Sequence, residues 1–271
     1  MDEITFTTVG EEMHHLISLL YPICRSITGN GVRQTLDIIK KYIPLAVYEV
    51  PSGKKVFDWE VPKEWNIRDG YIKNGRGDKI VDFKKLNLHV LNYSIPVHKK
   101  LPLEELKEHL YSIPEHPNWV PYRTSYYKET WGFCISHNQL NTLEEGEYEV
   151  LIDSSLEEGS LTYAESFIHG ELSDEVIIFT HVCHPSLCND NLSGISLSVF
   201  LARHLMQQKC RYSYRFIFAP TTIGSIVWLG ENESKINKIK HGLVCTLVGD
   251  TNEFTYKRSR QHTAEIDQVA E

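Results

Sequence analysis

Hydrophobic residues recur at helical spacing near the start of the chain. In 11–21 they lie three or four positions apart, which predicts an amphipathic helix. Residues 32–43 repeat the pattern, and the alternating segment 45–50 predicts a strand. The first part of the chain therefore predicts two helices followed by a strand.

Alternating strand and helix patterns return after residue 170. The predicted elements are a strand at 174–180, a helix at 192–207, a strand at 213–219, a helix at 224–229, a polar helix at 231–240 and a strand at 243–248. Strands that alternate with helices imply parallel βαβ units. These parts of the chain therefore predict an α/β fold.

The middle of the chain is rich in aromatic residues, prolines and short alternating runs such as KIVDF, NLHVLNYS and LTYAESFI. Short strands separated by turns predict a small, mainly-β module. The simplest organisation is a discontinuous α/β domain formed by residues 1–50 and 171–271. Residues 51–170 are then a β-rich inserted domain.

Composition narrows the range of partners. The net charge is −8 and the pI is about 5.9, which argues against nucleic acid and against anionic membranes as partners. No apolar run reaches transmembrane length, and the first residues lack the pattern of a signal peptide. We therefore expect a cytoplasmic protein.

The segment THVCHPSLCNDNLSG, residues 180–194, concentrates the candidate chemistry. His181 follows a predicted strand directly, so it lies at the sheet edge where α/β proteins bind ligands. With His184 and Asp190 it offers imidazole and carboxylate groups, which suit a Zn²⁺-type cation. Asp190 is equally suited to cap the following helix, and the whole segment to an ordinary polar loop.

Two further strand ends could complete such a site. Asp250 follows the last predicted strand, either as a ligand or as a turn aspartate. Thr221 follows the strand 213–219, at a point where a carboxylate could act as a general base. Cys183 and Cys188 remain alternative candidates as zinc thiolates or as a nucleophile beside a histidine, with buried free thiols as the simplest interpretation.

Long stretches of the chain resemble one protein family. The stretches are LYPICRSITGNGVRQTL (20–36), VPSGKKVFDWEVPKEWNIRDGYI (50–72), WVPYRTSYYKETWGFCIS (119–136), THVCHPSLCNDNLSG (180–194), PTTIGSIVWL (220–229) and GDTNEFTYKRSR (249–260). They are similar to a bacterial aminopeptidase-like domain family associated with polysaccharide biosynthesis. That family is itself similar to the co-catalytic zinc aminopeptidases and the glutaminyl cyclases.

The resemblance implies a phosphorylase/hydrolase-like three-layer αβα sandwich with a mainly-β insertion. It implies further chain after residue 271, which would include a last metal-binding histidine and a winged-helix-like module. It also implies one or two zinc ions held by His181, His184, Asp190 and Asp250, with Asp190 in the bridging position. The substrate is expected to contact Arg25, Asn189 and Asn191.

The chain departs from the zinc aminopeptidases at two positions. Cys183 stands where those enzymes have an aspartate that orients the first histidine, and Thr221 stands where they have the glutamate base. The favoured hypothesis is a metal-dependent aminopeptidase or amidohydrolase that acts on a peptide or amine-bearing small molecule, with homo-oligomers as a possible assembly. The alternatives are a catalytically degenerate binding module and a purely structural loop.

Overall fold

The computed structural model describes residues 8–270 of the chain. The helices are α1 (Val9–Leu20), α2 (Asn30–Ile39), α3 (Leu103–Lys107), α4 (His137–Asn141), α5 (Gly194–Leu205), α6 (Ile223–Glu231) and α7 (Glu265–Ala270). None of the helices in this described part is long and apolar enough to cross a membrane.

The strands are β1 (Ala46–Pro51), β2 (Lys55–Val56), β3 (Trp59–Glu60), β4 (Glu64–Lys73), β5 (Lys79–Asp82), β6 (Val97–Pro102), β7 (Leu110–Tyr111), β8 (Phe133–Cys134), β9 (Glu147–Glu157), β10 (Ser160–Ile168), β11 (Glu175–His181), β12 (Ser213–Ala219) and β13 (Ile239–Val244). Short 3₁₀ helices lie at Asn87–His89 and Glu233–Lys238, and a π-helical turn covers Cys188–Ser193.

Five strands form the main sheet, in the order β1-β10-β12-β11-β13. Strand β11 runs parallel to both β12 and β13, as the alternation of strands and helices predicts. Strand β10 is antiparallel to both β1 and β12, so the sheet as a whole is mixed rather than wholly parallel. The three parallel strands end at one edge, and that edge carries the candidate site.

The enclosed β-rich part contains a four-stranded antiparallel sheet in the order β5-β4-β9-β6. Strand β10 lies within residues 51–170, but it pairs with β1 and β12 in the main sheet. Strands β9 and β10 follow one another with only two residues between them, yet they belong to different sheets. Their sequences alternate alike, so hydrophobic pattern alone does not separate them. The division into two domains itself stays a prediction.

Strand β12 shows how both faces of the main sheet are covered. Phe216 and Phe218 pack into a core with α1, α2 and α5, whereas Ile217 and Ala219 pack on the opposite face with α6 and Trp65. Burying one such phenylalanine contributes on the order of 1.5–3 kcal/mol relative to leaving it exposed. The rigid centre of the sheet therefore supports the loops that follow β11 and β12.

Candidate metal centre

The parallel register brings two of the candidate loops together. His181, the last residue of β11, lies opposite Ala219, the last residue of β12. The chain then continues into Val182 and Cys183 on one strand and into Pro220 and Thr221 on the other. The two loops therefore leave the same edge of the sheet side by side, as expected for a ligand site in an α/β fold.

His181, His184 and Asp190 meet at this edge. Nε2 of His181 lies 3.0 Å from Oδ1 of Asp190, and Nε2 of His184 lies 3.8 Å from Oδ2 of the same carboxylate. The two imidazole rings are 4.7 Å apart and nearly perpendicular. The structure thus brings together three of the four metal ligands expected from the sequence.

The charge states at this cluster suit a cation. Burial lowers the pKa of His184 to about 4, with the neighbouring His181 acting in the same direction, so its ring is neutral near pH 7. The hydrogen bond from His181 holds the pKa of Asp190 below its ordinary value, so this carboxyl is ionised. Neutral imidazole and ionised carboxylate are the forms in which these groups bind zinc.

Cys183 lies on the other side of both imidazole rings. Its Sγ is 3.1 Å from Nδ1 of His184 and 3.6 Å from Nδ1 of His181, and the residue is only 1% exposed. Together the three side chains form a His-Cys-His group whose donor atoms lie within 4.8 Å of one another. A partner on the far ring nitrogen fixes the orientation of a metal-binding histidine. Cys183 is placed to do so.

The thiol of Cys183 is poorly suited to nucleophilic chemistry in this environment. Burial raises its pKa to about 12, and reactive cysteines require the opposite shift. Cys188 is exposed and makes none of the contacts with these histidines that Cys183 makes. The contacts therefore favour a metal-orienting role for Cys183 over the Cys–His nucleophile considered from the sequence.

Asn189 and Asn191 tie the loop after β11 to the segment after β13. The amide of Asn191 donates to Thr180 Oγ1 at 2.9 Å and its oxygen accepts from the backbone N–H of Leu247 at 3.3 Å. Oδ1 of Asn189 accepts from the backbone N–H of Gly249 at 2.8 Å. These contacts position the loop that carries Asp190, and the expected contact of the two residues with a substrate stays a prediction.

Arg25 is fully enclosed by the fold. Its Nε donates to the backbone carbonyl of His184 at 3.0 Å, and Nη1 donates to the carbonyl of Leu20 at 2.7 Å. Burial lowers the pKa of the guanidinium to about 10, and Nη2 has no hydrogen-bond partner in the described part of the chain. Arg25 thus supports the backbone of His184, and its expected contact with a substrate stays a prediction.

Asp250 lies in different surroundings from those expected, whereas Thr221 does not. Strand β13 ends at Val244, several residues earlier than the sequence pattern predicted, so Asp250 lies in a loop and not at the strand end. It is exposed, and its carboxylate accepts from the N–H of Asn252 at 2.8 Å. Thr221 does lie beside the cluster, with its backbone N–H 3.5 Å from Sγ of Cys183.

Three residues at the cluster were missed by the sequence analysis. The ring of Tyr122 lies 4.9 Å from that of His184, and its hydroxyl is 2.9 Å from that of Tyr126. Thr246 Oγ1 is 3.2 Å from Nε2 of His181. Tyr122 and Tyr126 lie in the stretch WVPYRTSYYKETWGFCIS, which has a high density of aromatic residues. That density was the available signal.

Replacing Cys183 with alanine is expected to weaken zinc binding about 10–100-fold, because both imidazoles lose their contact on Nδ1. Cys188→Ala is the matched control, since this exposed thiol makes no such contact, and it is expected to leave the affinity unchanged. Competition with a chromophoric chelator measures both constants. A strong sulfur-to-metal charge-transfer band in the Co²⁺-substituted protein would instead identify Cys183 as a ligand.

Comparisons with known proteins show which family the chain is similar to. The model of a family described as "Domain of unknown function (DUF4910)" matches residues 14–271. A curated relative from Clostridium acetobutylicum is 58% identical over 262 residues, which are 97% of this chain and 60% of the relative. Its name provisionally describes a polysaccharide biosynthesis protein with an aminopeptidase-like domain. The chain thus spans about three fifths of the length of this relative.

Solved structures extend the comparison to the fold. The crystal structure of a Clostridium acetobutylicum protein, provisionally described as a peptidase, has a TM-score of 0.95 at 58% identity and covers 96% of this chain and 62% of that one. A zinc aminopeptidase from Bacillus subtilis has a TM-score of 0.57 at 13% identity, covering 92% and 71%. At that identity the likeness shows an aminopeptidase-like fold of mixed sheet and helices. The resemblance expected from the sequence motifs is confirmed.

Proposed function

The chain belongs to the DUF4910 family, and from that premise we propose that it holds zinc in a hydrolase of the aminopeptidase type. Such an enzyme would cleave an amide bond next to an amino group. The observation that carries the proposal is the convergence of His181, His184 and Asp190 at the carboxyl end of β11. The provisional name of the Clostridium relative and the fold of the zinc aminopeptidases support it.

The donor set fits the metal. Zinc binds imidazole nitrogen and carboxylate oxygen, and catalytic zinc sites use three protein ligands. The cluster supplies two such nitrogens, from His181 and His184, and one such carboxylate, from Asp190. The two nitrogens lie 3.0 Å and 3.8 Å from the carboxylate oxygens. Asp250 as a ligand, and with it a second ion, stays a prediction.

The residues of this chain would prepare the site before any ligand arrives. Burial keeps His184 neutral, Cys183 contacts both rings, and Arg25 holds the carbonyl of His184. Zinc bound there would polarise a substrate carbonyl and lower the pKa of a water molecule. Pre-oriented ligands reduce the rearrangement that metal binding requires.

The residue at the position expected for the general base favours a second candidate function. Thr221 has no group that accepts a proton near pH 7, and general base catalysis is typically worth about 10²–10⁴-fold in rate. A protein that keeps the metal ligands without this base could bind an amine-bearing ligand in polysaccharide biosynthesis without cleaving it. Hydrolysis and its absence distinguish the two functions.

The test is the zinc content of the chain, purified without a metal-affinity tag and supplied with zinc, measured by inductively coupled plasma mass spectrometry. We expect about one zinc ion per chain for one such three-ligand site. A screen of aminoacyl amides follows, with the Clostridium relative assayed in parallel because the chain spans only 60% of it. Zinc-free preparations of both proteins would contradict the proposal.

Four further expectations belong with this proposal. Helices on both faces of the main sheet support the three-layer sandwich, since α1, α2 and α5 pack on one face and α6 on the other. The polysaccharide association is taken from the name of the relative. The cytoplasmic location and the homo-oligomer stay predictions from the sequence.

A further inference from the structure

A cavity of about 510 Å³ lies between the β-rich part and the loop after β12. Its lining includes Asp58, Trp59 and Glu60 from the β2–β3 hairpin, Tyr126 and Tyr127 from the aromatic segment, and Thr221. A cavity of this size accommodates a small organic group. Its lining combines aromatic rings with carboxylates, and this combination indicates which group.

The aromatic walls meet at steep angles. The rings of Trp59 and Tyr127 are 6.0 Å apart and inclined at 53°, and those of Tyr126 and Tyr127 are 6.4 Å apart and nearly perpendicular. Tyr127 is 83% exposed, so its ring face is available rather than packed in a core. The face of an aromatic ring attracts cations through the quadrupole of the ring.

Both charged side chains that line the cavity are negative. Asp58 and Glu60 are exposed and make no ion pair within residues 8–270. Lys55 lies opposite Glu60 in the β2–β3 hairpin but forms no ion pair with it in the described part of the chain. Two other nearby lysines are paired elsewhere, Lys54 with Glu231 at 2.6 Å and Lys63 with Glu129 at 3.8 Å. The cavity therefore combines two unpaired carboxylates with aromatic walls, which is complementary to a positive charge.

Two routes of contact join the cavity to the metal centre. Thr221 lines the cavity, and its backbone N–H is 3.5 Å from Sγ of Cys183. Tyr126 also lines it, and its hydroxyl contacts that of Tyr122, whose ring lies against His184. A group bound in the cavity would therefore be a close neighbour of the candidate metal ligands.

We propose that this cavity binds the protonated amino group of a ligand, with Trp59, Tyr126 and Tyr127 around it and the carboxylates of Asp58 and Glu60 supplying the opposite charge. The inference rests on the proposed function and deepens it, because it assigns the amino group of the substrate to a named pocket. Binding of the amine does not require zinc, so the two ideas can be tested separately.

The experiment compares phenethylamine with 2-phenylethanol, its uncharged counterpart, by isothermal titration calorimetry of the intact chain at pH 7 in EDTA. We expect the amine to bind about tenfold more tightly or better, as cation–π and charge attraction at a partly desolvated site allow. The double variant Asp58→Asn/Glu60→Gln should remove this preference, and Trp59→Ala should weaken amine binding. Far-UV circular dichroism verifies that the variants are folded.

The matched control is Glu144→Gln/Glu145→Gln, which changes the net charge equally at a different cavity. It is expected to keep the preference for the amine. Equal affinity for amine and alcohol would overturn the inference, as would an equal loss in the control. Failure here would leave zinc binding at His181 untouched, whereas an amine-binding chain without zinc would refute only the proposed function.

Discussion

Replacing His181 with alanine is expected to reduce zinc affinity by more than the roughly 10–100-fold that loss of an outer partner costs, because the change would remove a proposed direct ligand. His181 ends the central strand β11 and is 8% exposed, so its position is set by the sheet. The substitution also removes the hydrogen bond that favours ionisation of Asp190. Both effects lower affinity, and chelator competition at pH 7 measures their sum.

The control for this prediction is His98→Ala, on β6 of the β-rich part. His98 is exposed and contacts Glu149, away from the metal centre. This substitution should leave zinc affinity unchanged. It thereby shows that the effect of His181→Ala does not come merely from losing one histidine. If His181→Ala bound zinc as tightly as the unsubstituted chain, the ligand set derived from the geometry would be wrong. Asp190→Asn, which keeps the side-chain shape, tests the carboxylate in the same assay.

The sequence was most informative where hydrophobic runs were continuous. The strands predicted at 174–180 and 213–219 agree closely with β11 and β12, because buried central strands are apolar on both faces. The last strand was predicted at 243–248, a few residues too late in the chain. Strand β13 covers Ile239–Val244, and half of its residues are exposed. Pairing with β11 determines its register, and hydrophobicity favoured the more apolar residues that follow. That error placed Asp250 at a strand end.

Polar contacts explain another difference. The segment NLHVLNYS was expected to form a strand, but it begins with the 3₁₀ helix Asn87–His89 and continues as a loop. Asn92 donates to the carbonyl of Arg25 and its side-chain oxygen accepts from Ser26, while Ser94 Oγ donates to Leu91 O at 2.6 Å. Side chains that satisfy backbone groups in this way compete with a strand ladder.

At the candidate site, too, local sequence pattern found some residues and missed those that only folding brings close. His181, His184 and Asp190 are close in the sequence, so one loop at the end of a predicted strand was enough to suggest them. Tyr122 and Thr246 come from segments about 60 residues away on either side, and only the folding of the chain brings them to the histidines. Spacing within one loop cannot reveal partners that come from distant parts of the chain.

A buried arginine in the main sheet leads to the second prediction with a large effect, which concerns stability. Arg215 on β12 is 8% exposed and pairs with Glu165 on β10 at 2.5 Å and with Glu175 on β11 at 2.7 Å. Trp228 Nε1 donates to the other oxygen of Glu165 at 2.5 Å. One guanidinium thus offsets two buried carboxylates and joins three adjacent strands, including the strand that ends in His181.

Arg215→Met is therefore expected to lower the free energy of unfolding by about 3–5 kcal/mol, because it leaves both carboxylates buried without a cation. Arg203→Met is the matched control: Arg203 pairs with Glu12 at 2.8 Å, but both side chains are substantially exposed. Exposed pairs are worth about 0–1 kcal/mol, so the control should change stability little. Urea denaturation at pH 7 measures both variants. Equal losses would mean that the central network stabilises the sheet no more than a surface ion pair does.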